Sequence, residues 1–302
     1  MGPRVTAEQI ARIARVITDH DLNIEDIVRL SGRSPLHDDD PGSRACIELT
    51  VRGQPIDLDA MKASFLEISN ELGVDISFQE DNFYRRNRRL IVFDMDSTLI
   101  RQEVIDELAG EAGVGGQVSR ITEAAMRGEI DFKESLRRRV ALLEGLSASV
   151  LERVAGRITL TEGAERLLKT LRTLGYRTAV ISGGFTYFGR RLQERLRLDH
   201  MHANELEIRN GRLTGRLVGG IIDGERKAQL LQAISKQEGI ELEQVVAVGD
   251  GANDLPMLRL AGLGIAFHAK PVVQKSARQA ISTIGLDGIL YLMGMKDTEN
   301  PH

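Results

Sequence analysis

Apolar residues along the chain follow two rhythms that alternate several times. Residues 7–19 carry Ile10, Ile13, Ala14, Val16 and Ile17 at helical spacing and predict an amphipathic helix. Residues 23–33 place Ile24, Ile27 and Leu30 among polar neighbours and predict an edge strand. The HDDDPG stretch within 34–43 predicts a loop, 45–51 a second strand, 58–72 a second helix and 74–79 a third strand. That gives αββαβ in some eighty residues. Residues 82–89, NFYRRNRR, predict a solvated basic connector. Then Leu90, Ile91, Val92 and Phe93 run without polar alternation, as a strand buried on both faces of a parallel sheet does.

Residues 104–160 hold helical patterns and no strand: Val104, Ile105, Leu108 and Ala109, then Val118, Ile121 and Ala125, then Phe132, Leu136, Val140 and Leu143, then Val150 and Val154. An all-helical insertion directly after the first core strand predicts a lid over a pocket. The α/β rhythm then resumes. Helices are predicted over 164–174, 187–196, 226–237 and 255–261, with buried strands over 178–181, 245–248 and 265–267. Asn210-Gly211 between 205–209 and 212–218 is a two-residue hairpin signal. A helix around 289–293 closes the chain. The expected fold is α/β, a doubly wound parallel sheet with an inserted helical cap and a small N-terminal α+β domain. The expected divisions are 1–81 for the N-terminal module, 82–101 with 161–302 for the core, and 102–160 for the cap.

Three predicted parallel strands end in polar residues, and such carboxyl ends converge on one crevice. The first leads into Asp94, with Asp96 two positions on and Ser97 and Thr98 after it. Positions two apart point the same way in extended backbone, so both acids face one pocket. The second leads into Ser182-Gly183-Gly184, a cradle in which a hydroxyl and close backbone amides meet anionic oxygens. The third leads into GDGAND, where Asp250 and Asp254 offer hard oxygen ligands beside Asn253. With Asp94 they make the oxygen-rich surroundings that Mg²⁺ prefers. A dinucleotide fingerprint would need glycine where Asp254 stands, and an EF-hand would need glycine at Leu255 and glutamate at Ala261. No Gly-Lys-Ser/Thr phosphate loop occurs. Lys227 lies on a helix between the Gly219-Gly220 turn and the Asp250 strand, within reach of a phosphate.

Composition narrows the partners. With 40 basic and 44 acidic residues the net charge is -4, which gives no reason to expect nucleic acid or an anionic membrane. Tryptophan is absent and aromatics are 4%, so base-stacking platforms are not expected. The single cysteine, Cys46, excludes an internal disulfide or thiolate cluster and reads as a small buried hydrophobe. No apolar stretch is long enough to span a bilayer, and the first residues lack a signal-peptide core, so a cytoplasmic protein is expected.

DMDST, SGG, Lys227 and GDGAND, in that order with a helical insertion after the first, resemble the haloacid dehalogenase superfamily over residues 89–294. Within it the chain resembles the phosphoserine phosphatase family, whose cap supplies a glutamate and an arginine that grip the amino acid. Here these are Glu103 and Arg139, and the family's pocket methionine and phenylalanine correspond to Met126 and Phe132. The resemblance implies a Rossmann-like core, Asp94 as nucleophile, Asp96 as acid/base, and Ser182, Gly183 and Lys227 as phosphate contacts. It also implies Mg²⁺ held by Asp94, the Asp96 carbonyl and Asp250, with Asn253, Asp254 and Thr98 in support. The substrate it implies is O-phosphoserine, hydrolysed at the last step of serine synthesis. Transfer of the phosphoryl group to another alcohol is the nearest alternative, and a phospho-acceptor switch a more distant one. Residues 1–81 resemble an ACT module lacking its first strand, which implies a homodimer and serine binding at the N-terminal domain.

Overall fold

The computed structural model describes residues 1–32 and 44–297. The expected loop over 34–43 therefore lies outside the described residues, as does Arg33 at the end of the first expected strand. The N-terminal module comprises α1 (Ala7–Asp19), β1 (Asn23–Arg29), β2 (Ile47–Arg52) and α2 (Leu58–Leu72). Thr6 and Gln9 form a capping box at the start of α1, Asp57 caps α2, and left-handed Gly73 ends it. Val16 and Ile17 of α1 and Met61, Phe65 and Ile68 of α2 close a small core. Cys46 is buried, and burial pushes its thiol up to about 11.

Two expectations fail here. Residues 74–79 form no strand, and β1 and β2 make a sheet of two. The stretch is extended but divided between two partners. Ile76 and Phe78 pack on the module core. Asp75 instead accepts from the Ser282 and Thr283 amides at 2.7 and 2.9 Å, and Gln79 donates to the Leu292 carbonyl at 2.7 Å. Nor is 82–89 a solvated connector. Phe83–Arg86 is a 3-10 turn in which buried Arg85 pairs with Glu48 and Asp81, and Arg88 is buried against the Glu243 carbonyl.

The core is a seven-stranded sheet. After β3 (Leu90–Phe93) the chain forms α3 (Val104–Glu111), α4 (Gly115–Met126), α5 (Phe132–Ala141) and α6 (Ser149–Ala155) before returning through α7 (Ala164–Thr173) to β4 (Arg177–Phe185). Then come α8 (Thr186–Leu196), β5 (His200–Arg209), β6 (Arg212–Val218), α9 (Gly224–Glu238), β7 (Val245–Gly249), α10 (Leu255–Leu260) and β8 (Leu263–Phe267). Sequence patterning missed the next two elements, α11 (Pro271–Ser276) and β9 (Gln279–Ile281), which precede α12 (Ile289–Leu292). The sheet order is β6-β5-β4-β3-β7-β8-β9, parallel except for the β5–β6 hairpin. Asn210 and Gly211 turn that hairpin at φ 50° and 72°, the positive pair that such a tight turn requires.

Alternation along β3 explains its composition. Ile91 and Phe93 enter the core beneath α7 and α8, while Leu90 and Val92 enter the one beneath α9 and α10. All four are fully buried, each contributing about 1.5–3 kcal/mol. β4 and β7 flank β3, so the strand order reverses there and opens a crevice at their carboxyl ends. The helical insertion docks on the hairpin through Gly145 N to Leu213 O at 2.9 Å and Leu213 N to Leu146 O at 2.9 Å. Lys133 of α5 pairs with Asp223, at the start of α9, at 2.8 Å. Among the described residues no helix is long and apolar enough to cross a membrane.

Candidate active site

The apolar run of β3 stops at Asp94, whose amide still donates to Val248 O at 2.9 Å. Its carboxylate accepts from Met95 N at 2.7 Å. Asp94 and Asp96 are both extended, and Ser97 at φ 55° then turns the chain out of the sheet. Met95, between the two acids, is buried in the core. Thr98 donates to Asp250 at 3.1 Å, tying this turn to the end of β7.

Lys227, in the first turn of α9, is fully buried between two acids, 2.9 Å from Asp94 and 2.6 Å from Asp254. Gly251 N donates to the other Asp254 oxygen at 2.9 Å. Carboxylate oxygens of Asp94, Asp250 and Asp254 lie within 4.8 Å of one another. Three acids against one ammonium leave the cluster two charges short of neutrality. A divalent cation fits that deficit and the all-oxygen donor set.

An aspartate of ordinary acidity would be ionised at neutral pH without help, but burial, followed by the Asp254 charge, raises Asp94 well above the usual range, against Lys227. Burial, with Glu103 and Asp94, raises Asp96 likewise. Burial and Asp254 push Asp250 up to about 7. Burial alone would lower the Lys227 ammonium, yet Asp254 and Asp94 outweigh it and raise it. The Asp94 carboxylate is thus favoured only where cationic charge faces it, while Asp96 is set up to keep its proton.

The SGG stretch lies against the same acids. Ser182 is fully buried and accepts from Gly184 N at 2.8 Å. A Cβ on Gly184 would come within 2.5 Å of Asp96 Oδ2, and one on Gly183 within 2.9 Å of Phe132 Cζ. Any side chain at either position would displace an acid or the cap's aromatic ring. Glu103 caps α3 and accepts from Ser97 Oγ at 2.7 Å. Of the three consecutive cap arginines, Arg137 and Arg138 are exposed and Arg139 is half-buried. Burial lowers Arg139, against the charges of Glu103, Asp106 and Asp96 that face it. Asn253 sits half-buried between Asp250 and Asp254. Met126 is not drawn in. It is 65% exposed at the end of α4, with its sulfur 3.2 Å from Lys270 Nζ.

Sequence reading missed Asn204, which is buried on β5. Its amide donates to Gly183 O and accepts from Ile222 N, both at 2.8 Å, so it fastens the glycine cradle to the approach to α9. No local motif marks it, since its partners are eighteen and twenty-one residues away. Asn204→Ala leaves two buried backbone groups unpaired. The expected result is a loss of roughly 1–3 kcal/mol in denaturant unfolding, with weaker inhibition by inorganic phosphate. Unchanged stability and inhibition would show that the cradle does not need this tie.

A family model for haloacid dehalogenase-like hydrolases matches residues 91–259, which contain every one of these acids. The chain belongs to that family. Over 299 residues this hydrolase is 46% identical to the phosphoserine phosphatase of Streptomyces coelicolor, covering 99% of the chain and 70% of the relative. A hydrolase of the same family from Salmonella enterica serovar Typhi superposes with TM-score 0.82 at 32% identity, over 96% of each chain. A substrate-bound phosphoserine phosphatase matches with TM-score 0.65 at 46% identity, over 69% of this chain and 99% of that one. Haloacid dehalogenase-like phosphatases depend on a metal, and the Asp94–Asp250–Asp254 cluster of this hydrolase offers carboxylates that could hold one.

Proposed function

We propose that this hydrolase converts O-phospho-L-serine to L-serine and phosphate through Asp94. The observation that carries the substrate is the opposed pair at the cap, Glu103 beside Ser97 and half-buried Arg139 facing it. Phosphoserine brings an ammonium and a carboxylate, and a closing cap must partner both because a lone buried charge is costly. Phe132 against Gly183 gives the cap its apolar contact, and Met126 beside Lys270 stands at the rim.

Asp94 attacks phosphorus and forms an acyl phosphate as the ester bond breaks. Asp96, kept protonated by burial and its acidic neighbours, gives its proton to the departing serine oxygen and later takes one from the attacking water. Ser182, the Gly183 amide and Lys227 meet the phosphate oxygens, with Asn253 at the edge. Asp94, the Asp96 carbonyl and Asp250, with Asp254 and Thr98 behind them, would hold Mg²⁺, which would supply charge neutralisation between carboxylate and phosphate. The helices over 102–160 serve as the cap on a core of 82–101 and 161–302. The same reading makes the enzyme cytoplasmic and dimeric through the module over 1–81, where Ile27 of β1 is 53% exposed, with serine as a feedback ligand.

The test is phosphate release from phosphoserine and from a simple alkyl phosphate, with Mg²⁺ and with excess chelator, for wild type and Arg139→Ala. Hydrogen bonds to charged groups are worth about 1.5–3 kcal/mol, so the variant should lose roughly ten- to a hundred-fold in kcat/KM on phosphoserine. The alkyl phosphate should change little, and chelator should silence both. Equal losses on both substrates would remove the basis for the phosphoserine assignment.

A further inference from the structure

Between the N-terminal module and the core lies a cavity of about 1060 Å³, far larger than an inorganic ion needs. The catalytic half contributes four charged side chains to its wall, Arg85, Arg88, Lys275 and Arg278, and all are cationic. The module half contributes Lys62 and five acids: Glu48 and Asp81 are taken up by Arg85, Asp75 by the Ser282 and Thr283 amides, and Asp59 and Glu80 stand at exposed positions. Arg88 is the unbalanced group. It is 94% buried, from a 6% exposure, and its Nε has no hydrogen-bond partner. Its guanidinium bonds only the backbone carbonyl of Glu243, whose own side chain is exposed. Among the described residues no carboxylate lies within ion-pair distance of it. Burial lowers Arg88, and Arg278 adds repulsion, so the charge is held at a cost. Arg278 donates to Gly262 O at 3.3 Å, the glycine against which Arg88 also packs.

Arg88 precedes β3 and Asp94 follows it, so this cavity lies at the opposite end of the sheet, across a four-residue strand about 13 Å long. We infer that the cavity is a binding site for a small organic anion, a carboxylate or phosphate that Arg88 and Arg278 grip together. A guanidinium fork matches either oxyanion in bidentate fashion. The ligand supplies the counter-charge that Arg88 lacks, and it spans both halves of the chain.

The test uses the full chain and two probes, malonate and methylphosphonate, at constant ionic strength set with chloride. Binding to the folded state raises Tm with the logarithm of probe concentration. Wild type should show that rise with at least one probe in the millimolar range, and which probe acts separates carboxylate from phosphate ligands. Arg278→Gln, at an exposed position, should weaken the response about tenfold. Arg88→Gln should abolish it while leaving the probe-free Tm equal or higher, because a lone buried charge has been removed. Turnover without probe should be unchanged in both. A response to neither probe, or the same response in all three proteins, would overturn the site. Should Arg88→Gln fail to fold, Arg278→Gln decides alone, and an undiminished response in it overturns the site as well.

Discussion

Asp94→Asn is expected to abolish turnover while leaving the protein folded. The side chain keeps its size and loses only its nucleophilic charge. Loss of a nucleophile that works with a partner group costs roughly 10⁴–10⁶-fold in kcat. Asp94 stands in a cluster with more acids than bases, so removing one negative charge relieves repulsion with Asp250 and Asp254. Tm without metal should therefore stay level or rise. Acid-quenched reactions with labelled substrate should show a base-labile phosphoprotein in wild type and none in the variant. A phosphoprotein of the same lability in Asp94→Asn would place the nucleophile elsewhere.

Lys227→Met is the other large effect, and it reverses the stability pattern. Methionine matches the stem but leaves the Asp94 and Asp254 carboxylates facing each other without the ammonium that bonds them both. Removing one partner of a buried pair costs about 3–5 kcal/mol. The deficit should vary with pH. Without Lys227, Asp94, already raised by burial, holds its proton still more tightly when folded than unfolded, so falling pH favours the native state. The loss is then largest above neutrality and shrinks in acid. Activity should fall by at least about 10²–10³-fold, the scale for a donor to a developing anion. Denaturant titrations at pH 5 and pH 8 with a phosphate-release assay check both parts. A pH-independent deficit with near-normal turnover would make Lys227 a packing residue.

What the sequence disclosed follows from how local each signal is. Strands β3, β4, β7 and β8 were legible because burial on both faces leaves no room for polar alternation, and the ends of β3 and β7 marked the acids. The Asn210-Gly211 turn was legible because its dihedral demand falls on two adjacent residues. Gln279–Ile281 was not, because a three-residue edge strand takes its meaning from distant partners, with buried Gln279 donating to Phe78 O at 2.8 Å. Arg85 and Arg88 read as solvated because their burial is imposed by segments far away in the chain. Glu103 and Arg139 came from family resemblance. Without it three consecutive arginines are indistinguishable until a helix turns one inward.

The extended run at Asp75, Ile76, Ser77, Phe78 and Gln79 acts as a two-sided zip. Even-numbered side chains fasten the module, and odd-numbered ones fasten the far edge of the catalytic sheet, Ser77 among them through Gln279. A strand normally offers one face to a core and the other to water. Here both faces are spoken for by different parts of the molecule, so neither part can loosen without stripping the other. Cutting this run should therefore strip polar partners from the catalytic part and apolar ones from the module at the same stroke.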